Sequence, residues 1–276
     1  MSYTDIRRLM SNPYYKQHWI EVEPERHAAY ETLLSFHPAM EPLIAPLDLR
    51  PGLKVLDVGA GPGQTTVELA RRVGTDGRVT AIDINPEFIA RARARAGEQG
   101  LESRIEFVAG AFPPLPFDDS TFERVWCKNV LEYVDSAADT ISEMARVAAR
   151  GGVVVASDSD WEMMVLEVDA AAQARSDRIV AAAKQIALRE PRIGRRLYGL
   201  FRAAGLSDVK VKVFSGADQT GRSTPMQRAS LANYAADSGQ ISQDEIRQWL
   251  EDIERAVETG RYLFILPQFV VRGVKA

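Results

Sequence analysis

Gly59, Gly61 and Gly63, followed by Asp83, are the residues of this chain whose types and spacing best suit ligand binding. Glycine tolerates positive φ and lets a ligand approach bare backbone. A carboxylate placed like Asp83 can accept hydrogen bonds from both hydroxyls of a ribose. The glycine spacing is G-x-G-x-G. Position 64 is Gln64, so the G-x-G-x-x-G dinucleotide pattern is broken, and no Lys-Ser/Thr pair follows as in a phosphate-binding P-loop.

Such residues need a strand end and a helix start to hold them. Val55 to Val58 is a short apolar run of the kind that forms a strand buried on both faces. The helical pattern Gln64 to Val73 follows the glycines, and Val79 to Asp83 reads as a second strand. Asn85-Pro86-Glu87 combines an N-cap, a proline at N1 and an acid in the first turn, which together start a helix. Arg91, Arg93 and Arg95 on that helix point in different directions and read as a solvated face. Ile105 to Val108, Arg124 to Cys127 and Val153 to Ala156 supply further strands, and helices are expected over Asp169 to Arg189 and Arg192 to Ala204. Val209 to Phe214 alternates valine with lysine, as a half-exposed strand does. Ser242 to Glu245 is a capping box opening a helix with an Ile246, Leu250, Ile253, Val257 stripe. Leu263 to Val271 reads as a single last strand.

The stretch Val55-Leu56-Asp57-Val58-Gly59-Ala60-Gly61-Pro62-Gly63 resembles motif I of the class I S-adenosylmethionine-dependent methyltransferases. Leu115-Pro116-Phe117 with Asp119 and Phe122, and Asn129 to Val134, resemble the subgroup containing the ubiquinone and menaquinone C-methyltransferases. The resemblance implies a Rossmann-like sheet of order 3-2-1-4-5-7-6 with an antiparallel last strand, and S-adenosyl-L-methionine as cofactor. It assigns cofactor contact to Asp57, Gly59, Ala60, Gly61 and Gly63, to Asp83 and Ile84 at the ribose, to Ala111 and Phe112 at the adenine, and to Lys128 and Asn129 near the methionine. The subgroup's acid before the Leu-Pro-Phe string is replaced here by Ala111, so adenine would be held by backbone and apolar contact. Tyr133 stands where the subgroup often has histidine.

The acceptor side is less specified. Residues 1 to 50 are rich in aromatics and hold all three histidines, and are expected to form a helical lid over a methyltransferase domain of residues 51 to 276 with a helical insertion at about 216 to 260. Tyr14, Tyr15, Trp19, Tyr133 and Trp161 are candidates for lining the acceptor pocket, or for packing the lid. His18 is a candidate general base, since an imidazole titrates near pH ~6.5; a structural or solvated histidine is the alternative. Asp158 and Asp160 alternate at the end of the fifth strand. One of them, with Asp160 favoured, is expected to face the acceptor, the alternative being a loop-capping role.

Bulk properties narrow the classes. The net charge of −4 offers no global attraction to nucleic acid or anionic membrane. Asn12-Pro13-Tyr14 matches part of a nucleic-acid methyltransferase motif but lies far from the fourth strand, where that motif belongs. The single Cys127 excludes an intrachain disulfide and a multi-cysteine metal cluster, and no metal is expected. With no apolar signal core and no membrane span, a cytoplasmic monomer or homodimer is expected, acting on a small molecule. Quinone C-methylation and a non-catalytic binding domain on the same fold are the alternatives.

Overall fold

The structure is a computed structural model and describes Gln17, Trp19, Ile20, Val22 and residues 37–222 and 225–276. Tyr14, Tyr15 and His18 lie outside the described residues.

Among the described residues, seven strands form one sheet of order β3-β2-β1-β4-β5-β10-β7. They are β1 (Lys54–Val58), β2 (Arg78–Asp83), β3 (Ile105–Ala109), β4 (Phe122–Lys128), β5 (Ala148–Ser159), β7 (Leu206–Phe214) and β10 (Gln268–Lys275). The first five run parallel, and β10 inserts antiparallel between β5 and β7. This is the expected order, once the two last strands in the sheet are counted in chain order.

The central strands are buried on both faces because helices cover both. Helices α1 (Gln64–Val73) and α2 (Pro86–Glu98) cover one face, where Val67, Leu69 and Ala96 pack on Val55, Val79 and Trp126. Helices α3 (Ala137–Val147) and α5 (Ile193–Ala203) cover the other, where Ile141, Met144, Leu197 and Phe201 meet Leu56, Val125 and Val154. Asn85 caps α2 as expected, its side chain accepting from the Glu87 and Phe88 amides. Arg91 pairs with Glu87, Arg93 with Glu102, and the Arg95 side chain donates to the Pro62 carbonyl, so the three arginines make no common patch.

A second layer, the cap, has its own core. It contains α4 (Ala170–Ala187), α6 (Pro225–Asp237), α7 (Gln243–Glu258) and a small sheet of β6 (Val165–Glu167), β9 (Leu263–Ile265) and β8 (Ala217–Asp218). Ile179, Ala183, Leu231, Trp249, Ile253 and Phe264 are buried together there. The cap therefore draws on the chain around α4 as well as on the stretch before the last strand. The α7 capping box is present, with Ser242 and Glu245 bonded reciprocally. The buried stripe of α7 runs through Ile246, Trp249, Ile253 and Ala256, with Leu250 and Val257 only partly covered.

The last strand differs from expectation. Leu263 to Ile265 belongs to the cap sheet, and only Gln268 onward joins the main sheet. Pro267 stands between them. It has no N–H to give a ladder, and its carbonyl accepts from the Asp160 amide at 3.0 Å. The chain changes sheets at that point, which ties the cap to the carboxyl end of the main sheet. Among the described residues, no helix is long and apolar enough to cross a membrane.

Trp249 is fully buried at the centre of the cap, and its indole donates to Ser176 Oγ at 3.1 Å. Trp249→Ala should cost about 3–5 kcal/mol of stability, read as a lowered urea midpoint. A loss below about 1 kcal/mol would mean that the cap core is not packed around this ring.

Candidate functional site

A cavity of about 640 Å³ opens at the carboxyl ends of the parallel strands, between the main sheet and the cap. Open α/β sheets bind ligands at this place. Its volume lies in the range of small-molecule and cofactor sites.

The glycine loop forms one wall. Gly59, Gly61 and Gly63 all have positive φ, but they serve different ends. A Cβ on Gly59 would lie 2.2 Å from Val130 Cγ2, so this glycine permits the close approach of the loop after β4. A Cβ on Gly63 would lie 2.6 Å from Ala92 Cβ, so it permits α1 and α2 to pack. Gly63 is absent from the cavity lining, so its expected ligand contact gives way to a packing role. A Cβ on Gly61 would meet nothing within 4 Å, and Gly61 lines the cavity with Ala60 and Pro62. Bare backbone is presented to a ligand there.

Asp83 holds this loop. Its Oδ2 accepts from the Gly61 amide at 2.8 Å and its Oδ1 from the Asn85 amide at 2.9 Å. Burial raises its pKa, against hydrogen bonds from the Asn85, Gly61 and Ile84 amides. Asp83 and Ile84 line the cavity with Phe88 and Phe112, an acid beside an apolar recess. Ala111 is exposed and is absent from the lining, because the chain turns it outward after β3. The adenine expectation thus rests on Phe112 and its apolar neighbours.

Asp57 is buried beneath the loop, where the Thr66 hydroxyl donates to its Oδ2 at 2.6 Å. Burial pushes its carboxyl up to about 7, with Thr66 opposing the shift and the Asp83 charge adding to it. On the far side, Lys128 ends β4, Asn129 follows it, and both line the cavity. Burial lowers the Lys128 pKa, against the charges of Asp158, Glu132 and Asp57. Asn129 adopts φ 53° and accepts from Gln268 Nε2 at 2.8 Å through its Oδ1. A non-glycine residue held at positive φ is common where a structure positions a functional group.

Asp158, near the end of β5, and Asp160, just beyond it, are absent from the cavity lining. Asp158 is fully buried, and its Oδ2 accepts from the Val130 and Leu131 amides at 3.3 and 2.9 Å. Burial raises its carboxyl to about 7. Asp160 is also fully buried and is clamped by Arg195, whose Nε lies 2.6 Å from its Oδ2, while it caps the turn at Met163. Burial would raise its pKa, but the Arg195 bonds win and lower it. The catalytic expectation for Asp160 is therefore corrected, since a carboxylate locked in a bidentate pair has no free acceptor position. Ser159, between the two aspartates, lines the cavity instead.

Trp19, Tyr133 and Trp161 all line the cavity. The Trp19 and Tyr133 rings meet edge to face at 5.0 Å, and the Trp19 carbonyl accepts from Asn85 Nδ2 at 3.0 Å. Phe264 and Leu266 close the same end from the cap, with Tyr234 on α6. Glu132 is the residue that sequence reasoning missed. It is only 2% exposed, lines the cavity, and accepts from the Trp161 indole at 2.6 Å. The available signal was a lone carboxylate within the apolar run Val130 to Val134.

Known proteins share these features. A family model described as a methyltransferase domain matches residues 55–152, the part that contains the glycine loop, Asp83 and Asn129. A 37.1 kDa protein in transposon TN4556 of Streptomyces fradiae is 29% identical over 75% of this chain and 59% of its own length. The ubiquinone/menaquinone biosynthesis C-methyltransferase of Idiomarina loihiensis is 34% identical over 39% of this chain and 43% of its own length. The chain thus spans less than two thirds of either relative. The solved YcgJ protein of Bacillus subtilis shares the fold, with a TM-score of 0.61 at 20% identity, over 87% of this chain and 99% of that one.

The raised Asp57 carboxyl has a measurable consequence. Its pKa goes from 3.8 to about 7 on folding, so its contribution to stability is full below about pH 4 and is lost as pH rises through about 7. Asp57→Asn keeps an acceptor for Thr66 and removes the titration. The melting temperature of the wild type minus that of the variant should fall between pH 4 and 7 and then level off. A pH-independent difference would refute the assignment.

Proposed function

We propose that this chain, which carries a class I S-adenosylmethionine-dependent methyltransferase domain, transfers the sulfonium methyl group to an oxygen, nitrogen or carbon nucleophile of a small molecule. One observation carries the reading. Gly61, whose Cα faces open space, and Asp83 line the same continuous cavity as Tyr133, Trp161, Phe264 and Leu266. One end suits a polar nucleoside and the other a largely apolar acceptor.

The residues present fit the cofactor. Asp83 would accept from the ribose hydroxyls while Gly61 and Asn85 hold its position. Ile84, Phe88 and Phe112 would surround the adenine. The backbone of Gly59 to Gly61, with Asp57, Lys128 and Asn129, would face the methionine portion. The cofactor supplies an electrophilic methyl carbon when bound. The chain's own part is alignment and exclusion of water, which can contribute much of the rate of a displacement. The cap and Trp19 are read as the cover of this site.

The acceptor is taken to be a diffusible metabolite, and the protein a monomer or homodimer. The second reading, C-methylation of a quinone ring, has support in the 34% identity to the Idiomarina loihiensis enzyme over 107 residues. Incubation with methyl-labelled S-adenosylmethionine and a metabolite extract, followed by mass spectrometry, tests both. A labelled quinone favours the second, and no labelled product despite cofactor binding counts against transfer altogether.

Two variants test the cofactor half. Asp83→Ala should weaken S-adenosylhomocysteine binding by about tenfold to several hundredfold, since hydrogen bonds to a charged group contribute ~1.5–3 kcal/mol each. Gly61→Val should abolish binding, because φ of 53° strains a β-branched residue in the loop and its side chain would project into open cavity; circular dichroism checks that the rest of the fold is kept. Calorimetric affinity within twofold of wild type in either variant would sink the placement.

A further inference from the structure

Methyl transfer to a hydroxyl or amine releases a proton, and a group among the described residues is needed to take it. Asp160 is clamped by Arg195, and His18 lies outside the described residues. Of the other acids lining the cavity, Asp135 is exposed and the remaining three are engaged. Asp57 holds Thr66, Asp83 holds the glycine loop, and Asp218 accepts from the Thr220 amide and hydroxyl. Glu132 differs in position. It lines the cavity at the end walled by Tyr133 and Trp161, where the proposed acceptor would sit. Its place is fixed from both sides. Its backbone carbonyl accepts from the Arg189 and Glu190 amides at 2.9 and 3.2 Å, and its carboxylate accepts from the Trp161 indole at 2.6 Å.

We propose that Glu132 is the proton acceptor of the transfer, and that the acceptor substrate is therefore attacked through a hydroxyl or an amine. This rests on the methyl-transfer reading above. The bond from the substrate's oxygen or nitrogen to hydrogen breaks, and that proton passes to a carboxylate oxygen of Glu132. The methyl carbon exchanges its bond to sulfur for one to the substrate atom. The positive charge on sulfur and the negative charge on Glu132 vanish together, so the buried site is left neutral.

The converse holds before the reaction. Burial and the Asp158 charge push the Glu132 carboxyl well above the ordinary carboxylate range, opposed by hydrogen bonds from Trp161 and Tyr133 and by Lys128. The groups facing it are thus Asp158 from β5, Lys128 from β4, Tyr133 beside it and Trp161 at the start of the cap. Burial thus shifts Glu132 toward its protonated form in the ligand-free protein. A sulfonium cation in the cavity shifts it back toward the carboxylate, the form that can take the substrate's proton, and any proton it held passes to solvent.

The test needs no knowledge of the acceptor. S-adenosylmethionine carries the sulfonium charge, and S-adenosylhomocysteine does not. Calorimetric titrations near pH 7, in two buffers of different ionisation enthalpy, report the protons released on binding. Wild type should release more with S-adenosylmethionine than with S-adenosylhomocysteine. Glu132→Gln keeps an acceptor for the indole and should reduce that difference, leaving the share of Asp57, whose carboxyl lies near 7 at the same cavity, with S-adenosylhomocysteine affinity within about threefold, a small change on the logarithmic scale of binding energy. On the labelled product of the extract assay, its kcat should fall by about 10²–10⁴-fold.

Trp161→Phe serves as the second variant, since it removes only the indole N–H. The pH midpoint of proton release should then move upward, because a donor to the ionised form has been lost. An undiminished difference in Glu132→Gln overturns the proposal, as does an unmoved midpoint in Trp161→Phe. Failure of wild type to bind S-adenosylmethionine at all would instead overturn the methyl-transfer reading.

Discussion

The bond from the Gly61 amide to the Asp83 carboxylate, 2.8 Å long, is the constraint on which the site depends. It spans two adjacent parallel strands at their carboxyl ends and closes the gap that opens where the ladder stops. The same carboxylate takes the Asn85 amide, and Asn85 in turn caps α2. One buried acid therefore ends β2, aims α2 and shapes the glycine loop. An ionised group is costly to bury unless it is hydrogen-bonded, so the loop and the acid stabilise each other.

The second half of the site is built by a different device. The loop after β4 has no helix of its own to hold it. Asp158 supplies the acceptor for the Val130 and Leu131 amides, and Gln268 holds Asn129 through its Oδ1. Both supports come from neighbouring strands, β5 and β10. Glu132 then links this loop to the cap through Trp161. A short chain of buried polar contacts thus runs from the sheet through the reactive end of the cavity into the cover. Partly satisfied polar groups in such a place are costly, and their retention points to function rather than to stability.

The sheet sets the floor and the cap sets the roof of the cavity; on the proposed reading they supply alignment and exclusion of water, and Glu132 supplies the proton acceptor. The acids around Lys128 keep local charge close to balance. Their raised carboxyl pKa values and the lowered lysine pKa share one cause, the loss of water around all of them.

What the chain declared by itself was local. The Val55 to Gly63 run, Asp83, the Asn85 N-cap and the Ser242 capping box are decided by neighbours a few residues away, and each stands where its residue types require. Strand order followed from resemblance on the same local motifs. What only the tertiary structure decided was non-local. Gly59 and Gly63 read alike with Gly61, yet Val130 and Ala92, distant in sequence, make two of them packing glycines and leave Gly61 alone open to a ligand. Asp158 and Asp160 looked interchangeable until Arg195 took one and the β4 loop took the other. Pro267 turned one expected strand into two because its carbonyl found a partner at Asp160 and its nitrogen could offer none. Glu132 passed unnoticed in an apolar run because its meaning lies in Trp161, a side chain that only folding brings to it.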